Sequence, residues 1–195
     1  MTRGEKFRCG WCEKDDLYIS YHDLEWGVPV WDDQKMFEFL ILETFQAGLS
    51  WHTILKKREN FRAAFFNFDP NKMAKIDEVY YTELMNNAGI IRNNLKIRAA
   101  IENAKMYLKY TQETGDFCKL MWSFTNGKVI NNRVIKLSEM QATSKESDAM
   151  SKALKKMGFK FVGSTVCYAH MQATGMINDH LVECFRFEEV NNLIK

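Results

Sequence analysis

Apolar residues recur along most of this chain at intervals of three and four, and strict alternation is nearly absent, so helices are the expected elements. The spacing predicts helices over about Asp33 to Gln46, Trp51 to Phe66, Val79 to Asn87 and Asn94 to Gln112. In the last of these, Ile97, Ala100, Ile101, Ala104 and Leu108 make one apolar stripe. Asp69 and Pro70 break the chain between the second and third. Farther on, Ser147 to Met157 should stop at Gly158, Ser164 should cap a helix running to Thr174 and closed by Gly175, and Asn178 should begin a short last turn through Cys184. The stretches around Gly115 to Cys118 and from Asn126 to Ser144 read as loops, and the segment between Cys9 and His22 as irregular. The fold class that follows is an all-α bundle, one domain over residues 1–195, in which the N-terminal segment and the C-terminal helices meet.

One position disturbs this pattern. Gln34, Lys35 and Glu38 mark the wet face of the Asp33 to Gln46 helix, yet Glu43 shares a face with Phe39, Leu42 and Gln46. A buried carboxylate is costly unless it is paired or kept for a ligand. Aromatic residues crowd the flanking sequence: Trp11, Tyr18, Tyr21, Trp26 and Trp31 before it and Trp51 after it. A carboxylate lined by aromatic planes suits a flat, cationic or electron-poor heterocycle.

Composition narrows the class. A chain of 195 residues with 46% hydrophobic content can bury a substantial core. Its first residues are charged and lead into no apolar run, so a secretory signal is not expected, nor is any stretch long enough to span a membrane. Five cysteines, an odd and scattered set, do not form the framework of a disulfide-stapled secreted protein; reduced thiols in a cytosol are expected. A net charge of +2 is too mild to identify a nucleic-acid partner by itself. Three local clusters are more suggestive: Lys56, Lys57 and Arg58; Arg92, Lys96 and Arg98; and Lys152, Lys155, Lys156 and Lys160.

Two constellations carry candidate chemistry. On a helix, His180 and Cys184 would lie at i and i+4 on one face and bind one ion together, and Cys9 with His22 would complete a tetrahedral Cys2His2 set joining the two ends of the chain. Cys12 can replace Cys9 in this reading. Cys9-Gly-Trp-Cys12 also has the spacing of a redox pair, but no strand precedes it. His52, His170, Cys118 and Cys167 are read as packing residues. The second constellation, Asn86 to Arg98, places a glycine turn at Gly89 before a strongly amphipathic helix, as a helix-hairpin-helix does. Backbone N–H groups at such a turn and the following helix N-terminus bind phosphate without regard to sequence. Gly89, Ile91, Arg92 and Lys96 are its candidate contacts.

Together these segments resemble the 3-methyladenine DNA glycosylase I family of bacterial base-excision enzymes. The resemblance runs from about Phe7 to Cys184. It rests on Cys9-Gly-Trp11, Tyr18-Ile-Ser-Tyr-His-Asp-Leu-Glu-Trp-Gly27, Leu42-Glu-Thr-Phe-Gln-Ala-Gly-Leu-Ser-Trp51, Ile54-Leu-Lys-Lys-Arg-Glu59, Gly89-Ile-Ile-Arg92, Trp122-Ser-Phe124, Leu154-Lys-Lys-Met-Gly-Phe-Lys-Phe-Val-Gly163 and Asn178-Asp-His180. The segment from Lys128 to Arg133 departs from the proline-containing stretch common there, Cys12 stands where the family is often apolar, and residues past Cys184 have no firm counterpart.

The resemblance implies a helix-hairpin-helix glycosylase fold, with a hairpin lobe over about 33–165 and a zinc lobe from about 1–32 and 166–195. It implies one structural zinc ion held by Cys9, His22, His180 and Cys184. Glu43 would be the catalytic carboxylate that accepts from the amino edge of a flipped base, with Tyr21 its hydroxyl-bearing neighbour and Trp51 the stacking plane. Trp11, Trp26 and Tyr18 would complete the aromatic lining, and Gly48 and Leu49 would probe the gap left in the duplex. The implied reaction is hydrolysis of the N-glycosidic bond of 3-methyladenine in alkylated double-stranded DNA. It leaves an abasic site and free 3-methyladenine, and with no lysine nucleophile evident in the hairpin region, no strand cleavage is expected. A monomer in the bacterial cytoplasm, at the nucleoid, is expected. Two rival readings are a non-catalytic zinc-stabilised DNA-binding module, which has no use for Glu43, and a hydrolase of free nucleosides, which has no use for the hairpin or Leu49.

Overall fold

Side-chain caps set most of the helix starts. The computed structural model describes residues 6–193. Asp15 opens α1 (Asp16–Leu24), Asp32 opens α2 (Asp33–Gln46) and Ser50 opens α3 (Trp51–Ala64), each accepting a backbone N–H of the first turn. Asp69 caps the short α4 (Pro70–Met73), whose first residue is the proline that no helix interior would accept. Asp77 and Asn93 cap α5 (Glu78–Asn86) and α6 (Asn94–Thr114), and Asp116 caps α7 (Phe117–Ser123). In α8 (Lys145–Lys156), Ser144 and Ser147 cap each other reciprocally. Then follow α9 (Ser164–Ala173) and α10 (Phe185–Asn192).

Helix α2 is the centre of the core. Met36, Phe37 and every residue from Phe39 to Phe45 are buried, and α2 packs against α3, α6, α7 and α9, with α8 behind α9. The Phe45 and Phe61 rings meet at 4.7 Å, and Phe65, Phe68, Phe117 and Tyr168 are also almost fully enclosed. Each such ring stabilises the fold by roughly 1.5–3 kcal/mol through burial.

The expected helices lie where the spacing put them, with boundaries shifted by a residue or two, and α2 has the expected limits. Helix α3 stops at Ala64 instead of Phe66 because Phe66, Asn67 and Phe68 turn left-handed at φ of 54 to 57°. Gly158 ends α8 as expected, with Phe159 N–H bonded to Leu154 O and Gly158 N–H to Lys155 O. Ser164 does not cap α9; Gly163 holds that position, and the Ser164 hydroxyl meets that of Ser147 at 2.8 Å.

Four expectations need correction. The segment before His22 is not irregular, since α1 carries His22 in its last turn. Phe117 to Ser123, outside every expected helix, forms α7, because Asp33 on α2 accepts the N–H groups of Phe117 and Cys118. The Asn126 to Ser144 loop contains a two-residue strand, β1 (Ile130–Asn131), paired in parallel with β2 (Ile177–Asn178). Finally, no helix joins His180 to Cys184. Asn178 turns its side chain back onto the chain, accepting from His180 N–H at 3.2 Å and donating to Phe187 O, so a tight turn replaces the helix and Cys184 precedes α10.

Candidate active site and metal centre

Two polar ties hold α1 against α3, and α3 in turn packs on α2. His52 on α3 bonds to Asp15 at 2.7 Å and stacks on Tyr18 at 4.8 Å, and Arg58 on α3 makes a two-pronged pair with Glu25 at 2.6 and 2.8 Å. These contacts bring Tyr18 and Tyr21 against Trp51, whose ring centroid lies 5.3 Å from that of Tyr21. Trp11 closes the group, 4.9 Å from both Tyr18 and Trp26.

The result is a cavity of about 330 Å3 lined by Trp11, Tyr18, Tyr21, Trp26, Glu43 and Trp51. All six were singled out by the sequence. Glu43 is 3% exposed and its Oε2 has no hydrogen-bond partner among the described residues. Burial alone raises its pKa to about 8, so near neutral pH Glu43 is largely a neutral acid that a cationic ligand would ionise. Burial, with Glu43 as a smaller cause, also raises the Tyr21 phenol well above its usual value and keeps it neutral. The indole N–H groups of Trp11 and Trp51 are likewise buried without partners. An unpaired carboxyl and two unpaired donors among flat rings make a site for a nitrogen heterocycle.

Sequence reasoning missed part of the wall. Gln46, Leu137, Met140, Ala169 and Gln172 also line the cavity. Gln46 was legible, one helical turn after Glu43. The others lie far along the chain, and Leu137 and Met140 come from what reads as a loop, so no local signal marks them. A second cavity of about 190 Å3 adjoins through Glu43, Gln46 and Ala169 and is bordered by Gly48, Leu49 and Thr165. Leu49, between α2 and α3, stands 42% exposed.

The basic clusters divide. Lys57 donates to the carbonyls of Ala88 and Gly89, at 2.9 and 3.2 Å, and Asn87 Oδ1 accepts the Gly89 N–H, so the turn after α5 is braced. Arg92 is exposed, with no hydrogen bond or ion pair among the described residues, whereas Arg98 pairs with Glu78. Lys96 is a correction. It is 6% exposed, and its ammonium donates to the carbonyls of Phe45 and Ala47 at 2.7 and 2.5 Å, so it caps the end of α2 and does not face a phosphate.

Cys9, His22, His180 and Cys184 converge, all buried, with their ligand atoms within 4.8 Å of one another. Cys9 Sγ to His180 Nδ1 is 3.8 Å, Cys184 Sγ to His180 Nδ1 is 3.7 Å and Cys184 Sγ to His22 Nε2 is 3.5 Å. Metal bonds of about 2.0–2.3 Å place the corners of a tetrahedron about 3.3–3.8 Å apart, so the set fits a metal ion. The outer nitrogens are also fixed: His22 Nδ1 meets Asp23, itself gripped by Arg8, and His180 Nε2 lies 3.0 Å from Trp26 O. Gly27, at φ +79°, lets the chain pass this close; a Cβ there would stand 3.0 Å from His180 Nε2. Cys12 is buried nearby but is not one of the four.

Packing accounts for the remaining histidine and cysteines. Cys118 and Cys167 are buried, and His170 is fully enclosed, with neither ring nitrogen partnered among the described residues; burial lowers its pKa to about 3, so it stays neutral. Among the described residues no helix is long and apolar enough to cross a membrane.

The class defined by fold and site is thus a helical heterocycle-binding protein with an unpaired acid in an aromatic cavity and a Cys2His2 cluster able to hold a metal. Comparison with known proteins gives the particular kind. Residues 11–187 match the sequence profile of the methyladenine glycosylase family. Over 177 residues the chain is 53% identical to DNA-3-methyladenine glycosylase 1 of Escherichia coli (strain K12), covering 91% of this chain and 95% of that protein. The DNA-3-methyladenine glycosylase of Haemophilus influenzae is 48% identical over 177 residues, covering 91% of this chain and 96% of the relative. A crystal structure of 3-methyladenine DNA glycosylase I superposes with a TM-score of 0.90 at 49% identity, over 92% of this chain and 98% of that one. A Staphylococcus aureus structure described as the basis of 3-methyladenine recognition gives 0.88 at 36% identity, over 91% and 95%. The chain belongs to the methyladenine glycosylase family.

Proposed function

We propose that the protein hydrolyses the N-glycosidic bond of 3-methyladenine in alkylated duplex DNA, leaving an abasic site and releasing the free base. The observation that carries this reading is Glu43, a buried acid with an unpartnered oxygen facing an aromatic cavity. Alkylation at N3 makes adenine cationic and a good leaving group, so strong acid catalysis is unnecessary. The enzyme must extrude the nucleotide, at a cost of a few kcal/mol. Stacking on Trp51 and its neighbours offsets part of this, roughly 1–3 kcal/mol per base, and the positive ring adds a cation–π contribution. Glu43 ionises against the cation and accepts from its amino edge, which favours adenine over guanine, whose carbonyl would face negative charge. Leu49 with Gly48 fills the gap left in the duplex.

The turn between α5 and α6 is read as the hairpin that holds a phosphate. Supporting this, the N–H groups of Ile91 and Arg92 have no acceptor among the described residues, and the unpaired Arg92 stands beside the N-terminus of the long α6. Gly89 lets the braced turn approach, and Lys96 has no part in it. Cys9, His22, His180 and Cys184 are read as ligands of one structural zinc ion, which when bound contributes cross-linking, not reaction chemistry, because four protein ligands leave no open position. The chain is read as one domain, acting as a monomer without strand cleavage, its metal-bearing lobe built from both chain ends.

Incubation with methylated duplex DNA, followed by chromatography of released bases, tests the proposal. Free 3-methyladenine is expected, with the backbone intact until base treatment. Its absence, or equal release of 7-methylguanine, would overturn the reading.

A further inference from the structure

We propose that Asp179 locks the side-chain amide of Gln172 so that its carbonyl oxygen, not its amino group, faces the base cavity, and that this fixed acceptor adds selectivity for N3-methylated adenine over N3-methylated guanine. The inference rests on the base-release reading above and deepens it.

Gln172, near the end of α9, lines the cavity that holds Glu43. Its Nε2 donates to Asp179 Oδ2 at 2.7 Å. Asp179 is 1% exposed, and two further donors converge on it, the Tyr168 hydroxyl on Oδ2 and Asn132 Nδ2 on Oδ1, each at 2.7 Å. A carboxylate offers acceptors only. Turning the amide over would set its oxygen against a carboxylate oxygen at hydrogen-bond distance in a buried place, leaving both unsatisfied. The amide therefore has one orientation. With Nε2 engaged, Oε1 is the atom left over, and no donor among the described residues reaches it.

Gln46, the other amide in the cavity wall, makes no side-chain hydrogen bond among the described residues and can turn either way to suit a ligand. It distinguishes nothing. Gln172 cannot turn, so its Oε1 is the acceptor of fixed sense in the cavity, beside Glu43, which accepts once it ionises against a cationic base. An adenine amino group carries two hydrogens to give. A guanine presents a carbonyl at the same ring position; Gln172 Oε1 repels it in every protonation state of the site, and Glu43 repels it when ionised. Gln172 is thus a specificity-determining residue and Asp179 a positioning residue.

The readout is the ratio of 3-methyladenine to 3-methylguanine released from one sample of methylated duplex DNA, a quantity that does not depend on the fraction of the protein that is folded. Gln172→Met keeps the volume and removes the acceptor; the ratio is expected to fall about tenfold, the equivalent of one hydrogen bond of average strength. Asp179→Asn gives the amide at 172 two permitted orientations, and an intermediate ratio is expected. Metal content and melting temperature are measured on both variants, because Asp179 adjoins His180. If one variant fails to fold, the ratio from the other decides. A ratio unchanged in either folded variant overturns the proposal while leaving base release intact, whereas a wild-type protein that releases no 3-methyladenine overturns the underlying reading instead.

Discussion

At the scale of single residues, Glu43 links stability to function. Its folded pKa of about 8 lies above the 4.5 of an ordinary glutamate, so between those values the folded chain holds a proton that the unfolded chain has lost. Stability therefore falls as pH rises through this window, by at most about 1.4 kcal/mol per unit. Glu43→Gln should abolish that slope, leaving the protein unchanged near pH 4 and more stable than wild type at pH 9 in denaturant titrations. Base release should move the other way: losing a charged acceptor worth roughly 1.5–3 kcal/mol lowers kcat/KM on methylated DNA by about 10- to 100-fold. A variant that releases base at the wild-type rate would reduce Glu43 to a core residue. Glu43 was legible in the sequence because a helix assigns each residue a direction, and a charge on the apolar side is visible at once. Gln172 was not, since its role depends on Asp179, and only folding decides which way an amide turns.

At the scale of elements, Lys96 and Arg92 separate two kinds of basic residue that look alike in sequence. Both stand near the turn between α5 and α6. One caps the end of α2 from a buried position, and the other is exposed and unpaired. Lys96→Met should lower the melting temperature, because two carbonyls lose a charged donor worth about 1.5–3 kcal/mol, while the salt dependence of DNA binding stays as in wild type. Arg92→Ala should do the reverse: stability is retained, and the slope of log affinity against log salt becomes shallower by about 1. Equal salt slopes in Arg92→Ala and wild type would remove the hairpin from the interface. The same limit explains α7 and the His180 turn. Helix α7 starts where Asp33, more than eighty positions earlier, accepts its first N–H groups, and Asn178 turns the chain by bonding to α10. Neither partner lies within reach of a local pattern.

At the scale of the whole molecule, the two ends of the chain meet at Cys9, His22, His180 and Cys184, and the cavity leans on that junction. Trp26 stacks edge-on against His180 at 4.6 Å, Trp11 follows Cys9 by two positions, and Asp179 precedes His180. Chelation should therefore lower the melting temperature by about 10 °C or more, the equivalent of several kcal/mol, and weaken binding of free 3-methyladenine along with it. Restored zinc should recover both, and a chelated protein of unchanged stability would exclude a structural metal. The sequence by itself determined the long amphipathic helices, their apolar faces, the glycine stop at Gly158 and the four metal-ligand candidates, because periodicity and residue chemistry are local properties that one chain carries in order. Only the tertiary structure decided which lysine is buried, which amide is locked and which loop residues wall the cavity. Those are relations between segments that the chain keeps far apart, and burial with its hydrogen bonds is what brings them together.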